Sequence, residues 1–143
     1  MSQKISPTRQ VSVITAQAAL NALSTALTEG ANAQVRVSVA IVDPGMNLLA
    51  FIKADGATAH SAETSRRKAN TAASTGRATG WMPADLALTL PMAAGNLLTN
   101  IPGGIPLRFD GQLSGGLGIA GGTVEQDAAI AQAILKSIGA DSI

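Results

Sequence analysis

Asp110-Gly111 separates two apolar runs, Leu107 to Phe109 and Leu113 to Ala120. A two-residue hairpin turn needs a left-handed backbone at both central positions, which Asp tolerates and Gly adopts freely. The dipeptide between apolar runs is therefore a strong hairpin signal. A second pair of runs lies upstream. Val35, Val37, Val39 and Ile41 alternate with Arg36, Ser38 and Ala40, the period of a strand with one buried face. Asp43-Pro44-Gly45 is turn chemistry, and Leu48 to Ile52 supplies the returning arm. Strands joined by tight turns run antiparallel, so the two hairpins commit the chain to an antiparallel sheet.

The other periodic segments are helical. After Ser6-Pro7, an N-cap and first-turn pair, Ala16, Leu20, Leu23 and Leu27 recur at helical spacing. Gln17, Asn21, Ser24 and Thr28 occupy the opposite side, and Gly30 is a natural stop. A second helix is expected from about Ser61 to about Gly76, with Ala62, Ala69, Ala73 and Gly76 as a stripe small enough to lie close on a sheet. Ala84 to Leu90, interrupted by Pro91, reads as a short helix followed by loop. From Ile101 to Pro106 two prolines, each without a backbone donor, rule out a helix or a central strand. Gly115, Gly116 and Gly118 point to close approach by another backbone or a ligand. Thr123 with Gln126 three residues on forms a capping box for a last helix, which turns Ile130, Ile134 and Ile138 inward and ends at Gly139. Helix, hairpin, helix, loop, hairpin, helix is an α+β order, expected to form one domain over residues 1–143.

Composition narrows the function classes. Apolar residues make up 46% of the chain and charged residues 13%, enough for a core and too little charge for disorder. The uncharged surface this leaves favours burial against further copies, so a homo-oligomer is expected. A net charge of +1 offers no field for nucleic acid or an anionic membrane, and 2% aromatics leave no stacking platform for bases. The chain has no Cys, which excludes disulfides, thiolate catalysis and cysteine metal sites. His60 is its only histidine, so one chain cannot build a multi-histidine metal centre. Neither a Gly-x-Ser-x-Gly elbow nor a dinucleotide-type glycine loop occurs. The polar stretch Met1 to Gln10 and the lack of a long uninterrupted apolar run set the expectation of a soluble, cytoplasmic protein.

Several motifs together resemble one family. They are Val37-Ser-Val-Ala-Ile-Val-Asp-Pro-Gly45, Leu48-Leu-Ala-Phe51, Ala54-Asp-Gly-Ala57, Lys68-Ala69 with Thr71-Ala72-Ala73, and Pro102-Gly-Gly-Ile-Pro106. Asp110-Gly111 and Gly118-Ile-Ala-Gly-Gly122 followed by Glu125-Gln-Asp127 complete the set. In this order they resemble the GlcG-like/HbpS-like heme-binding family, to which the carboxy-terminal domain of PduO-type proteins is also similar. The resemblance covers most of the chain. It implies a profilin-like five-stranded antiparallel sheet with flanking helices, binding of heme or a related tetrapyrrole in some members, and oligomeric assembly. It implies no single reaction.

Candidate site residues follow from residue chemistry. The turn Gly121-Gly122-Thr123 opens the last helix, where free N–H groups and the helix dipole suit a heme propionate or a small organic acid. The same turn reads equally as a capped helix with nothing bound, because Glu125 and Asp127 already bring negative charge to that end. Lys68, beside Arg66 and Arg67, could emerge at a pocket edge to bind a carboxylate or form an imine, or could be a snorkelling surface lysine. His60 could be an axial heme ligand or a general base, or an exposed residue without a role, and the family pattern places no histidine there. Asp43, Glu125 and Asp127 are candidate acid–base groups, although Asp43 sits where turns favour Asp for backbone reasons. Arg77, Trp81, Met82 and Met92 could wall an apolar cleft, with methionine a further heme ligand, or could serve packing or an oligomer contact. Three readings stay open: a small-ligand or heme-binding protein, an isomerase or lyase using Lys68 with Glu125 or Asp127, and an oligomeric accessory protein without catalysis.

Overall fold

The computed structural model describes residues 4–143, so the first three residues of the polar amino-terminal stretch lie outside the description. The elements run α1 (Ala16–Asn32), β1 (Ser38–Val42), β2 (Leu48–Lys53), α2 (Ser61–Thr75), α3 (Ala84–Ala93), β3 (Gly104–Phe109), β4 (Gln112–Ala120) and α4 (Val124–Ile138). The strands form one four-stranded sheet in the order β2-β1-β4-β3, with every neighbouring pair antiparallel. The two hairpins are joined through their β1 and β4 arms.

Helices cover both faces of the sheet. α1 and α4 lie on one face over Val39, Ile41, Leu117 and Ile119, and their Leu23, Ile130, Ile134 and Leu135 complete the main core. Each such aliphatic side chain contributes roughly 1.5–3 kcal/mol when fully buried. α2 covers the other face, where Ala40, Val42, Ala69 and Ala73 form a second, smaller cluster. That layer buries little apolar area per residue and is thin instead. Gly104, Gly116 and Gly118 line up across β3 and β4 beneath α2. A Cβ on any of them would strike a carbonyl group of α2: that of Lys68, Ala69 or Ser65 respectively. The glycines of the second hairpin thus serve the approach of another backbone. A buried hydrogen bond of 2.7 Å between the Ser38 and Ser61 hydroxyls ties β1 to the start of α2.

The Asp110-Gly111 turn is as expected, with φ of 52° and 80° at its two residues. Its free amides are held from a distance. Asp110 and Gly111 donate to the two carboxylate oxygens of Asp141 at 3.0 and 2.7 Å.

Several expectations need correction. The sheet has four strands among the described residues, not five, because the two hairpins supply all of them. The segment ahead of α1 reaches β4 through the Ile14 amide, which donates to the Ser114 carbonyl at 2.9 Å, and builds no ladder. α1 starts at Ala16, capped by Thr15, rather than after Ser6-Pro7. Its buried stripe is Ala19, Ala22, Leu23, Ala26 and Gly30, which turns Leu20 outward. Gly30 does not stop the helix; its bare backbone lets Val35 and Val37 pack against it. In α2 the inward residues include Ser61, Ser65 and Lys68, while Ala62 is only half-buried. Pro91 lies inside α3 rather than ending it. The exclusion of a helix and a central strand at Ile101–Pro106 holds, and the arm expected from Leu107 starts earlier: Gly104, Ile105 and Pro106 belong to β3, an edge strand, where a missing N–H can be spared from the ladder.

Candidate functional site

Lys68 sits mid-way along α2 with only 4% of its surface exposed. Its Nζ donates to the Ile119 carbonyl near the end of β4 at 2.7 Å. Gly103 makes room for it, since a Cβ there would lie 2.8 Å from that Nζ. Asp127, 5% exposed, lies in the first turn of α4 and accepts the Gly122 amide on Oδ1 at 3.0 Å. Ile119 and Gly122 are three residues apart, so the lysine and the carboxylate approach one short stretch of backbone from two helices. They form no direct ion pair within 4.0 Å.

Each nevertheless shapes the other's charge. Burial pushes the Lys68 ammonium below the ordinary lysine range, and the negative charge of Asp127 resists that push. Burial likewise raises the Asp127 carboxyl above the ordinary aspartate range, against the opposing effects of the Gly122 hydrogen bond and the Lys68 charge. A buried lysine and aspartate that offset one another only in part resemble the tuned groups of functional sites.

The amino end of α4 is closed by its own side chains. Thr123 and Gln126 form the reciprocal capping box, with Thr123 N–H donating to Gln126 Oε1 at 3.0 Å and Gln126 N–H to Thr123 Oγ1 at 3.1 Å. Gly122 N–H is taken by Asp127. The amides expected to seat a ligand carboxylate already seat one belonging to the chain. Glu125 does not join Lys68. Two residues apart on a helix, Glu125 and Asp127 point to different sides, and Glu125 lines a groove with Glu29 and Ala33 between α1 and α4.

A different cleft opens beside the same turn. Arg36, Gly56, Ala57, Thr58, Gly121 and Gln126 are among the residues bounding a volume of about 520 Å³. Gly56 lets the Arg36 side chain lie across it, since a Cβ there would come within 3.0 Å of the guanidinium. His60 follows two residues beyond Thr58, exposed at the start of α2, with no capping hydrogen bond from its side chain. Arg36 is exposed, as the strand alternation reads, and its place beside this cleft is not part of that pattern. The sequence signal that remained was the pairing of an arginine ahead of one strand with two glycine turns, at Gly56 and at Gly121.

The other candidates disperse. Arg66 is exposed, and Arg67 makes a loose ion pair with Glu63 at 3.9 Å. Asp43 closes its turn by accepting from the Gly45 and Asn47 amides at 2.8 and 2.9 Å and from Asn47 Nδ2. Burial would raise its pKa, but the Asn47 and Gly45 hydrogen bonds outweigh it and hold the carboxyl below the ordinary range. Arg77 stacks over Trp81 at 4.5 Å, and Met82 is buried while Met92 is exposed on α3. Among the described residues no group of three His, Cys, Asp or Glu side chains could hold a metal ion. No helix among them is long and apolar enough to cross a membrane.

Comparison with known proteins gives one consistent picture. Residues 14–136 match the family described as haem degrading protein HbpS-like. The solved structure of Klebsiella pneumoniae protein ORFY superposes with a TM-score of 0.86 at 28% identity, covering 98% of this chain and 100% of that one. PduOC, crystallised as a heme complex, gives 0.81 at 30% identity over 90% of this chain and 97% of its own. A double mutant of Streptomyces reticuli HbpS gives 0.79 at 28% identity, covering 95% of this chain and 94% of its own.

Proposed function

Since the chain belongs to the HbpS-like family, we propose that it binds a small ligand, heme or a related tetrapyrrole, as a homo-oligomer. The observation that carries this reading is the cleft of about 520 Å³ lined by Arg36, whose side chain lies over Gly56, and by Gly121, with the only imidazole of the chain two residues from its wall. The existence of a heme complex of PduOC, similar along nearly its whole length, supports the same reading.

The residues present suit the group. Arg36 is a fixed, planar cation of the kind that holds a propionate carboxylate in two hydrogen bonds. Gly121 brings bare backbone to the cleft, and Gln126 adds an amide. His60 is exposed and its side chain caps no helix amide, so its imidazole is available as an axial ligand. Bound heme would supply an iron centre; the chain would orient and shield it. Hemin titration tests the reading: a saturable shift of the Soret band is expected, with weaker binding in Arg36→Ala and an altered spectrum in His60→Ala. Absence of saturable binding by the assembled protein would defeat it.

A second reading, an isomerase or lyase acting on a carbonyl or carboxylic acid metabolite, rests on Lys68 and Asp127, which converge on the backbone from Ile119 to Gly122 but are 4% and 5% exposed, so a substrate reaches them only where that backbone opens. In that case Lys68 supplies the cation or the nucleophile and Asp127 the proton relay, with Glu125 too far round α4 to share the task. Borohydride trapping with keto acids separates the two readings, since only an imine at Lys68 would leave a stable mass increment.

A further inference from the structure

Among the described residues, Lys68 and Asp127 are the only buried charged side chains. Taking a charge out of water is costly, and no direct ion pair within 4.0 Å offsets that cost here. What the two side chains hold is backbone. At the end of β4 the Ile119 amide donates to the Gly103 carbonyl at 2.8 Å, but the Ile119 carbonyl is taken by Lys68 Nζ rather than by a strand amide. Three residues on, the Gly122 amide goes to Asp127 Oδ1. α2 and α4 lie on opposite faces of the sheet, so the turn leaving β4 is gripped from both sides.

Ala120 and Gly121 lie between these two anchors. Gly121 has a φ of 128°, and a Cβ there would strike the Arg36 carbonyl. Bare backbone of the turn therefore lies against the main chain of the residue whose side chain lines the cleft of about 520 Å³. Neither Lys68 nor Asp127 is among the residues bounding that cleft, whereas Gly121 is.

We infer that Lys68 and Asp127 are positioning residues for this cleft: they lock the backbone from Ile119 to Gly122 against Arg36 and so fix the wall that a ligand meets, a role that rests on the ligand-binding reading above. An apolar pair could fill the same space at less cost, but it would offer neither a donor to the Ile119 carbonyl nor an acceptor to the Gly122 amide. A binding wall made by a turn is only as exact as the groups that support it. The depth of the two side chains suits such a role, since support needs no access to solvent or ligand.

Three variants of the full chain test this. Asp127→Ala removes the acceptor of the Gly122 amide, Asp127→Asn keeps one, and Lys68→Met removes the donor at the Ile119 carbonyl with little change in bulk. In hemin titrations, Asp127→Ala and Lys68→Met should bind about tenfold more weakly, the scale on which outer partners of a site act, with a displaced Soret band. Asp127→Asn should stay close to wild type. Without ligand, the Gly121 and Gly122 amides should exchange faster in Asp127→Ala and Lys68→Met by NMR, while core amides such as those of Val39 and Leu117 keep their protection. Should Lys68→Met fail to fold, the two Asp127 variants decide alone. Hemin affinity unchanged in folded Asp127→Ala, or lowered equally in Asp127→Asn, would overturn the role and leave the cleft reading standing. A wild type that binds no hemin defeats the cleft reading and this role together.

Discussion

Lys68 and Asp127 are both nearly buried, approach the same short stretch of backbone from different helices, and yet bind that backbone rather than each other. One donates to the Ile119 carbonyl and the other accepts from the Gly122 amide. The arrangement leaves Lys68 with donor capacity beyond its single hydrogen bond and keeps both groups away from their ordinary titration ranges.

The lowered pKa of Lys68 has a definite sign in stability. Between its folded pKa and the ordinary value of 10.5 the unfolded chain holds a proton that the folded chain lacks. Stability contributed by this site therefore rises with pH across that window. Lys68→Met removes the effect. The stability of the wild type relative to Lys68→Met should increase from pH 7 to pH 10 in urea denaturation, and a flat difference would show that burial does not disfavour the ammonium.

Asp127→Asn keeps an oxygen for the Gly122 amide and removes the charge that supports Lys68. The Lys68 pKa should fall further, read from an NMR titration of the Lys68 side-chain resonances, assigned with the Lys68→Met variant, in protein that stays folded. An unchanged titration midpoint would mean that the two charges do not communicate.

Asp43 carries a lowered pKa, so its turn contributes stability above the unfolded value of 3.8 and loses it as the pH falls through the lower folded value. Asp43→Ala should cost about 1–2 kcal/mol at pH 7, in line with hydrogen bonds to a charged acceptor. The gap to wild type should narrow in acid, as followed by thermal melts at pH 7 and pH 3.

Gly118→Ala places a methyl group against the Ser65 carbonyl and the Ala69 amide of α2. Neither can move without moving the helix, so the loss should reach about 3 kcal/mol, the upper end of the overpacking range. Gly111→Ala, where an added Cβ meets nothing, should suffer only from its positive φ of 80°. Comparing the two melting temperatures separates crowding from backbone strain.

Both hairpins, the capping box of α4 and the close approach over the glycines were readable in the chain because each rests on local chemistry: Asp110-Gly111, Asp43-Pro44-Gly45, Thr123 with Gln126. In α1 the expected stripe holds at Leu23 and Leu27 but not at Ala16 and Leu20, which face outward. Leucines at positions 20, 23 and 27 suggest one stripe, but Ala19, Ala22 and Ala26 face the sheet. The sheet and α4 leave room for small side chains there, a choice set by tertiary fit rather than by hydropathy. Lys68 stands out in the chain through the Lys68-Ala69 motif, but its burial, in place of a pocket edge or the open surface, follows from the approach of α2 to the end of β4. The separation of Glu125 from Asp127 follows from helix geometry once the inward side of α4 is known. The closing of the α4 amides by Asp127 is local, five residues from Gly122, and fits the negative charge expected at that end; the meeting of Arg36 with the Gly56 and Gly121 turns depends on which loops come together, and no local pattern carries that.

Pro106, in the middle of outer strand β3, has no amide hydrogen to offer. A foreign strand trying to zip onto this margin would find its hydrogen-bonding register broken near the centre. The outer rim on that side is thereby guarded against fibril-like stacking, and any lasting assembly there has to be made through side chains.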